Sequence, residues 1–179
     1  FKLSAEDIYS INQASLKDAV VMFDGGCTGE IVSEKGLLIT NHHCGYGNIQ
    51  KLSSVEHDYL KDGYWAMNRS EELPCEGLTV TFLEYMQDIT GILEKVEKKA
   101  RKEFKYDDEK VIKALSAKVD ALVKEAEEDH PYCTAQVQTF YNNNVYYLIV
   151  YKVYTDVRFV GAPPSSIGKF GADTDNWMW

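Results

Sequence analysis

The sequence predicts a mainly β fold with inserted helices, α+β by content. Three observations carry this. Short runs of β-branched and aromatic residues, punctuated by glycine and asparagine turns, occupy both ends of the chain. A charged stretch of helical period interrupts them between Asp88 and Glu128. The hydrophobic share is 45% over 179 residues, enough for a core and too much for wholesale disorder.

The elements follow in order. Ser4-x-x-Asp7 is a capping-box-like start, and Ile8, Ile11, Leu16, Val20 and Val21 recur at roughly helical spacing, so a helix is predicted near residues 4–18. "DGGCTG" is a glycine-rich break. "GEIVSEKGLLITNHHC" reads as two short strands around a turn at Glu34-Lys35-Gly36, with His42 and His43 just past the second strand. "SVEHDYLKDGYW" reads as a short helix ending at Gly63, and "GLTVTFLEYMQDI" as a strand. From Asp88 to Glu128 there is no proline, and Gly91 is the only glycine. Val111, Ile112, Leu115, Val119, Leu122, Val123 and Ala126 keep helical spacing, and Asp107 or Asp108 can cap the second of two helices. After "HPYC" the β pattern returns for two or three long strands, with Asn142-Asn143-Asn144 as a tight turn. "APPSSIGKFGADTDN" reads as a loop. The chain is thus one partial domain over residues 1–179, with a helical insertion at 88–129, and suggests part of a barrel or sandwich.

Composition narrows the function classes. A net charge of −9 argues against a phosphate-binding surface, so no nucleic-acid partner is expected. Charged residues are densest from Glu84 to Asp129 and read as one solvated helical face. No apolar stretch approaches the ~18–20 residues of a membrane span. The opening Phe1-Lys2-Leu3 and the closing "DTDNWMW" read as the borders of a piece of a longer protein. Cys27, Cys44, Cys75 and Cys133 contain no C-x-x-C pair; they allow two disulfides in three connectivities, or four buried free thiols.

"TNHHC" at Thr40–Cys44 admits three readings: metal ligands, structural histidines, or a catalytic base. Adjacent residues at a strand end point in opposite directions, so His42 and His43 do not readily share one ion, and no metal or other cofactor is expected. The "DTDN" run lacks the glycine and further ligand of a calcium loop, since Trp177 and Met178 stand there. Asn68-Arg69-Ser70 is a formal glycosylation sequon to which no role is assigned, and His57 and His130 read as surface residues.

The third reading rests on the whole block. A cysteine in "GGCTGEIVS", a hairpin, and "ITNHHC" together resemble the element of chymotrypsin-like peptidases in which a histidine base ends a strand beside a disulfide. More specifically, "GEIVSEKGLLITNHHCGYGNIQKLSSVEHDYLKDGYW" with "DTDNWMW" resembles the bacterial dipeptidyl peptidase 7 and 11 family of serine exopeptidases, over essentially the whole chain. The resemblance implies the N-terminal part of a chymotrypsin-like double barrel: a helix, most of the first barrel and the helical insertion. It implies a His-Asp-Ser triad with His43 as general base, and a bridge between Cys27 and Cys44 around it. A second disulfide, Cys75–Cys133, is expected to join the two ends of the insertion, worth roughly 3–5 kcal/mol if unstrained. Asn176 and Trp177 would hold the free amino terminus of a peptide substrate, by an amide carbonyl and an aromatic face.

The triad Asp is expected just beyond Trp179 and the Ser far downstream; Asp156 and Asp175 are weak stand-ins, and Ser53-Ser54 and Ser165-Ser166 read as cap and loop residues. The chain alone is therefore expected to be inactive. The resemblance further implies peptide substrates, a periplasmic, cell-surface or secreted location in a Gram-negative bacterium, and allows a homodimer of the full-length protein. The competing reading is a non-catalytic binding module on a peptidase-like barrel.

Overall fold

The computed structural model describes residues 2–10 and 13–168. They form two compact units, one comprising the residues up to Phe82 and from Tyr154 onward, the other Leu83–Val153.

In the first unit, α1 (Ala5–Ile8) is capped by Ser4 and Asp7 as expected: the Asp7 N–H donates to Ser4 Oγ at 3.2 Å, and the Ser4 N–H to Asp7 Oδ2 at 2.8 Å. The predicted helix over 4–18 stops there. Tyr9 is extended, Ser10 and Ser15 spend their hydroxyls on backbone N–H groups, and a separate 3₁₀ turn forms at Leu16–Ala19. Serine side chains that bond the backbone compete with the helical ladder. Val20 and Val21, which fit the helical spacing, instead begin strand β1 (Val20–Phe23). Its alternation is strict: Val21 and Phe23 are buried, Val20 and Met22 exposed.

The glycine-rich break leads to β2 (Cys27–Ile31), and a turn at 33–36 to β3 (Leu38–Thr40), the predicted hairpin. Helix α2 (His42–Leu52) follows directly, then α3 (Tyr59–Asp62), which ends at Gly63 with φ +75°. Short ladders pair β4 (Tyr64–Trp65) with β10 (Gly161–Ala162), and β5 (Leu73–Pro74) with β9 (Arg158–Phe159). Strand β6 (Val80–Asp88) pairs β1 through Phe23↔Val80 and Met22↔Thr81, giving the order β3-β2-β1-β6. The core joins Val21, Phe23, Cys75, Leu78 and Val80, with Cys27, Cys44, Leu52 and Phe159 packed against it. The segment read as a loop after Ala162 contains a short helix, α6 (Ser165–Gly168).

The second unit holds the rest of β6, helices α4 (Thr90–Phe104) and α5 (Asp108–Asp129), and strands β7 (Cys133–Phe140) and β8 (Val145–Tyr154), in the order β6-β8-β7. The two helices fall where their period placed them, but the compact unit also takes in the flanking strands. Ile89, Leu93, Ala126, Leu148 and Val150 form its core. Asp107 caps α5 by accepting the Lys110 N–H at 3.2 Å. The β7–β8 turn has positive φ at Tyr141, Asn142 and Asn143, the left-handed backbone that asparagine tolerates. Arg101 pairs with Glu97 and Asp108 on the solvated face, exposed pairs that contribute little stability. Among the described residues, no helix is long and apolar enough to cross a membrane.

Candidate functional site: a histidine beside a disulfide

The site begins with Gly29. It faces Thr40 across the β2–β3 ladder, and a Cβ there would lie 2.9 Å from Leu38 Cδ2 and 3.1 Å from the Ile39 carbonyl. Only glycine lets β3 approach this closely. Thr40 then donates its hydroxyl to the Thr28 carbonyl at 2.6 Å, which fixes the end of the strand.

Asn41 turns the chain into α2 with extended backbone, and its carbonyl accepts the Cys44 N–H at 3.0 Å. The helix contains Gly45 and Gly47, poor helix formers, so its own propensity is weak. Tertiary ties hold it instead. Ile49 and Asn48 are buried, and Ser53 Oγ closes the far end by donating to the Ile49 carbonyl at 2.8 Å and accepting the Tyr59 N–H at 3.1 Å. At the near end Cys44 is bonded to Cys27, with Cα atoms 6.1 Å apart.

The two histidines thus stand in the first turn of a helix, not at a strand end as the sequence reading had them. Consecutive residues on a helix do not face one another, so the divergence that was inferred survives on a different ground. His43 is exposed, and its Nε2 lies 3.9 Å from Cys27 Sγ. His42 packs edge-on to Tyr46, ring centroids 6.0 Å apart, and against Gly168 of α6. The ligand atoms of Cys27, His43 and Cys44 all lie within 4.8 Å of one another. With the sulfurs joined in a disulfide they carry no thiolate, the form in which cysteine binds metal.

The remaining residues singled out in the sequence fall as follows. Cys75 and Cys133 are both free, so the expected second disulfide is not formed. Each is packed into the apolar cluster of its own unit, Cys75 beside Leu78 and Cys133 against the core that contains Leu148. Burial pushes the Cys75 thiol above its ordinary pKa. Asp156 is committed to Arg158, which donates through Nε and Nη2 at 2.9 and 3.1 Å; these hydrogen bonds and the guanidinium charge hold the carboxyl below the usual range. His57 is exposed and stacks on Tyr59, whereas His130 is half-buried against Tyr85. Asn68 caps a 3₁₀ turn, accepting the Ser70 N–H at 3.0 Å and donating to Glu71 at 2.6 Å. Asn176, Trp177 and Asp175 lie outside the described residues. Gly29, Thr40 and Gly168 were missed as site-shaping residues; for Gly29 a glycine inside a strand pattern was the available signal.

A depression of about 190 Å³ lined by Thr28, Glu30, Ile39, Thr40 and Asn41 opens beside the hairpin. It is smaller than the ~300–1,000 Å³ of typical small-ligand sites.

His43 is thus presented in the open at a strand-to-helix junction, next to a cysteine held in a disulfide. The chain belongs to the Peptidase S46 family, whose model matches residues 1–179. It is 54% identical over 181 residues to dipeptidyl-peptidase 7 of Phocaeicola vulgatus, covering 99% of this chain and 24% of that protein. To the Asp/Glu-specific dipeptidyl-peptidase of Porphyromonas gingivalis it is 49% identical, covering 99% of this chain and 25% of that protein. Among solved structures it superposes on Porphyromonas endodontalis DPP11 in complex with the dipeptide Arg-Glu, with a TM-score of 0.80 and 46% identity, over 99% of this chain and 26% of that one. The chain spans about a quarter of the length of these relatives.

Proposed function

We propose that this chain is the N-terminal portion of a serine-type dipeptidyl peptidase of the chymotrypsin clan, which releases dipeptides from the free amino terminus of peptides. The observation that carries the reading is His43: an exposed imidazole, on the first turn of α2, beside the Cys27–Cys44 bridge. A general base must be held within a narrow geometry, and the disulfide and the Gly29–Thr40 approach supply that.

In the full-length protein His43 takes the proton of a serine hydroxyl as that oxygen attacks the peptide carbonyl. It returns the proton to the leaving amine, and water then resolves the acyl-enzyme. The Asp and Ser partners come from parts of the protein outside this chain, so the chain alone is inactive. Asn176 and Trp177 anchor the substrate's ammonium group, which sets the cut two residues from the end. No metal or organic cofactor takes part.

The chain is about equally similar to a relative named for Asp/Glu specificity and to one named dipeptidyl-peptidase 7. Selection of the residue before the cleaved bond is therefore assigned to the rest of the protein. The Cys27–Cys44 bridge supports an oxidising location, periplasmic or secreted. The family resemblance also allows a homodimer of the full-length protein.

The test is release of a fluorophore from dipeptide amides by the full-length protein, with free and with acetylated amino termini, in wild type and His43→Ala. The expected result is cleavage of the free-amine substrate alone, lost in the variant. No cleavage of either substrate by folded, oxidised protein would replace the enzyme with a non-catalytic binding module. Activity of the isolated chain that disappears in His43→Ala would overturn the claim that its partners lie elsewhere.

A further inference from the structure

We propose that the free edge of strand β7 pairs with the β7 strand of a second copy of this chain, around a two-fold axis at Gln138. The inference rests on the homodimer that the proposed function allows and names its surface; it does not depend on the peptidase activity.

Strand β7 ends the sheet order, with β8 on its inner side. Successive residues of a strand present their N–H and C=O groups to opposite neighbours. The Ala135 N–H points away from β8, since it donates to Glu127 Oε1 at 3.0 Å. Val137 and Thr139 share that orientation, and beyond the β7–β8 ladder their backbone makes no hydrogen bond among the described residues. The strand runs CTAQVQTF over eight residues, with no charge, proline or glycine. Charges, prolines and bulges are what normally keep an edge from recruiting another strand. Glu127 guards this edge at Ala135 and leaves Val137 and Thr139 open.

The register selects the occupant. With the two-fold axis at Gln138, Val137 stands opposite the second copy's Thr139, and Thr139 opposite its Val137. All the open groups are then used, and the bond from Ala135 to Glu127 is kept. An axis at Val137 would set Ala135 opposite Thr139 and demand the N–H that Glu127 already holds. An axis at Thr139 would set Val137 opposite Tyr141, whose φ of 52° lies outside the strand. An edge that its own copy satisfies in one register fits a closed two-fold dimer, the commonest symmetric assembly.

Charge agrees with the antiparallel pairing. Two copies of a chain of net charge −9 repel each other, and an uncharged edge is where they meet at least cost. The two Glu127 carboxylates, each bound near Ala135, fall on opposite sides of the axis. They stand roughly 20 Å apart, beyond the screening length of about 8–10 Å. Gln136 and Gln138 are exposed on the face away from Ala135 and Val137, which pack against the core. Gln138 therefore meets its own copy across the axis, with Cβ atoms about 4.5–5.5 Å apart.

The experiment uses the full-length protein, by sedimentation and by mild oxidation of cysteine variants. Wild type is expected to sediment as a dimer and to form no cross-link, although it keeps Cys133. Gln138→Cys is expected to give a disulfide-linked dimer. Gln136→Cys, opposite Phe140 and roughly 14 Å from its own copy, is expected to give none. Gln138→Lys sets like charges face to face and is expected to raise the dimer dissociation constant roughly two- to fivefold. Gln138 is exposed, so neither change at this position disturbs the core. A monomer would overturn both this inference and the homodimer. A dimer indifferent to Gln138→Lys and not linked by Gln138→Cys would overturn the β7 surface alone, and place the interface elsewhere in the full-length protein. Linking of Gln136→Cys as readily as Gln138→Cys would overturn the axis at Gln138. Oligomeric state is read without substrate, so its failure is distinct from failure of the peptidase reading.

Discussion

Gly168 lies so close against the imidazole of His42 that a Cβ built on it would stand 2.3 Å from Cδ2 and 2.6 Å from Cγ. The contact ties α6 to the first turn of α2, one residue from His43. Gly168→Ala should therefore force the ring or the helix aside. Overpacking of this kind costs about 1–3 kcal/mol. We expect a lowered urea midpoint and, in the full-length protein, a fall in peptidase rate. Unchanged stability and rate would mean that the His42 ring moves freely and has no part in placing α2.

The Cys27–Cys44 bridge closes a loop with a sequence separation of 17. Chain entropy gives such a closure a stabilisation of about 3 kcal/mol. Replacing both residues by alanine should remove about that much, read as a urea midpoint equal to that of reduced wild type. Non-reducing peptide mapping should join Cys27 to Cys44 and leave Cys75 and Cys133 unpaired. In the native protein Cys75 should alkylate more slowly than Cys133, because burial raises its pKa and blocks access.

Ile89 is fully buried at the start of α4, and its N–H donates to the Tyr146 carbonyl of β8 at 2.9 Å. Ile89→Ala opens a cavity in the core of the second unit and should cost about 2–5 kcal/mol in denaturant unfolding. A loss below about 1 kcal/mol would show that this core collapses around the gap.

Two helix starts carry a pH dependence. Hydrogen bonds from the Lys110 side chain and backbone hold Asp107 below the ordinary carboxyl range, and those from the Thr90 side chain and backbone do the same for Asp88. A carboxyl with a lower pKa folded than unfolded stabilises the fold above the unfolded value. That stabilisation fades as pH falls through the folded value. Helicity of wild type should therefore decline below about pH 4, where free Asp titrates. The decline should be shallower in an Asp107→Asn, Asp88→Asn double variant; identical profiles would remove these caps as its cause.

Much of the fold was legible because its signals are local. The period of Val111 to Ala126 gave α5, Gly36 the β2–β3 turn and the asparagines the β7–β8 turn, while the cap was narrowed to Asp107 or Asp108 and the structure selects Asp107. Where two periods overlapped the sequence misled. Val20 and Val21 satisfy helical spacing with Leu16, yet they alternate as a strand once β2 and β6 are there to pair with them. Helix α2 was not foreseen because Gly45 and Gly47 argue against it, and burial of Ile49 and the bond to Cys27 overrule that propensity.

For the site, the contiguous block "TNHHC" singled out His42, His43 and Cys44, and the family resemblance added His43 as the base candidate and Cys27 as the partner of Cys44. Tertiary structure decided the rest. It put His43 on a helix, aimed its Nε2 toward Cys27 Sγ at 3.9 Å, sent His42 under Gly168, and left Cys75 and Cys133 unjoined. These are relations between residues distant in the chain, fixed by packing that no local pattern encodes. Cysteine pairing shows the physical reason most directly: a bridge requires two Cα atoms within about 7 Å, and only the folded chain sets that distance.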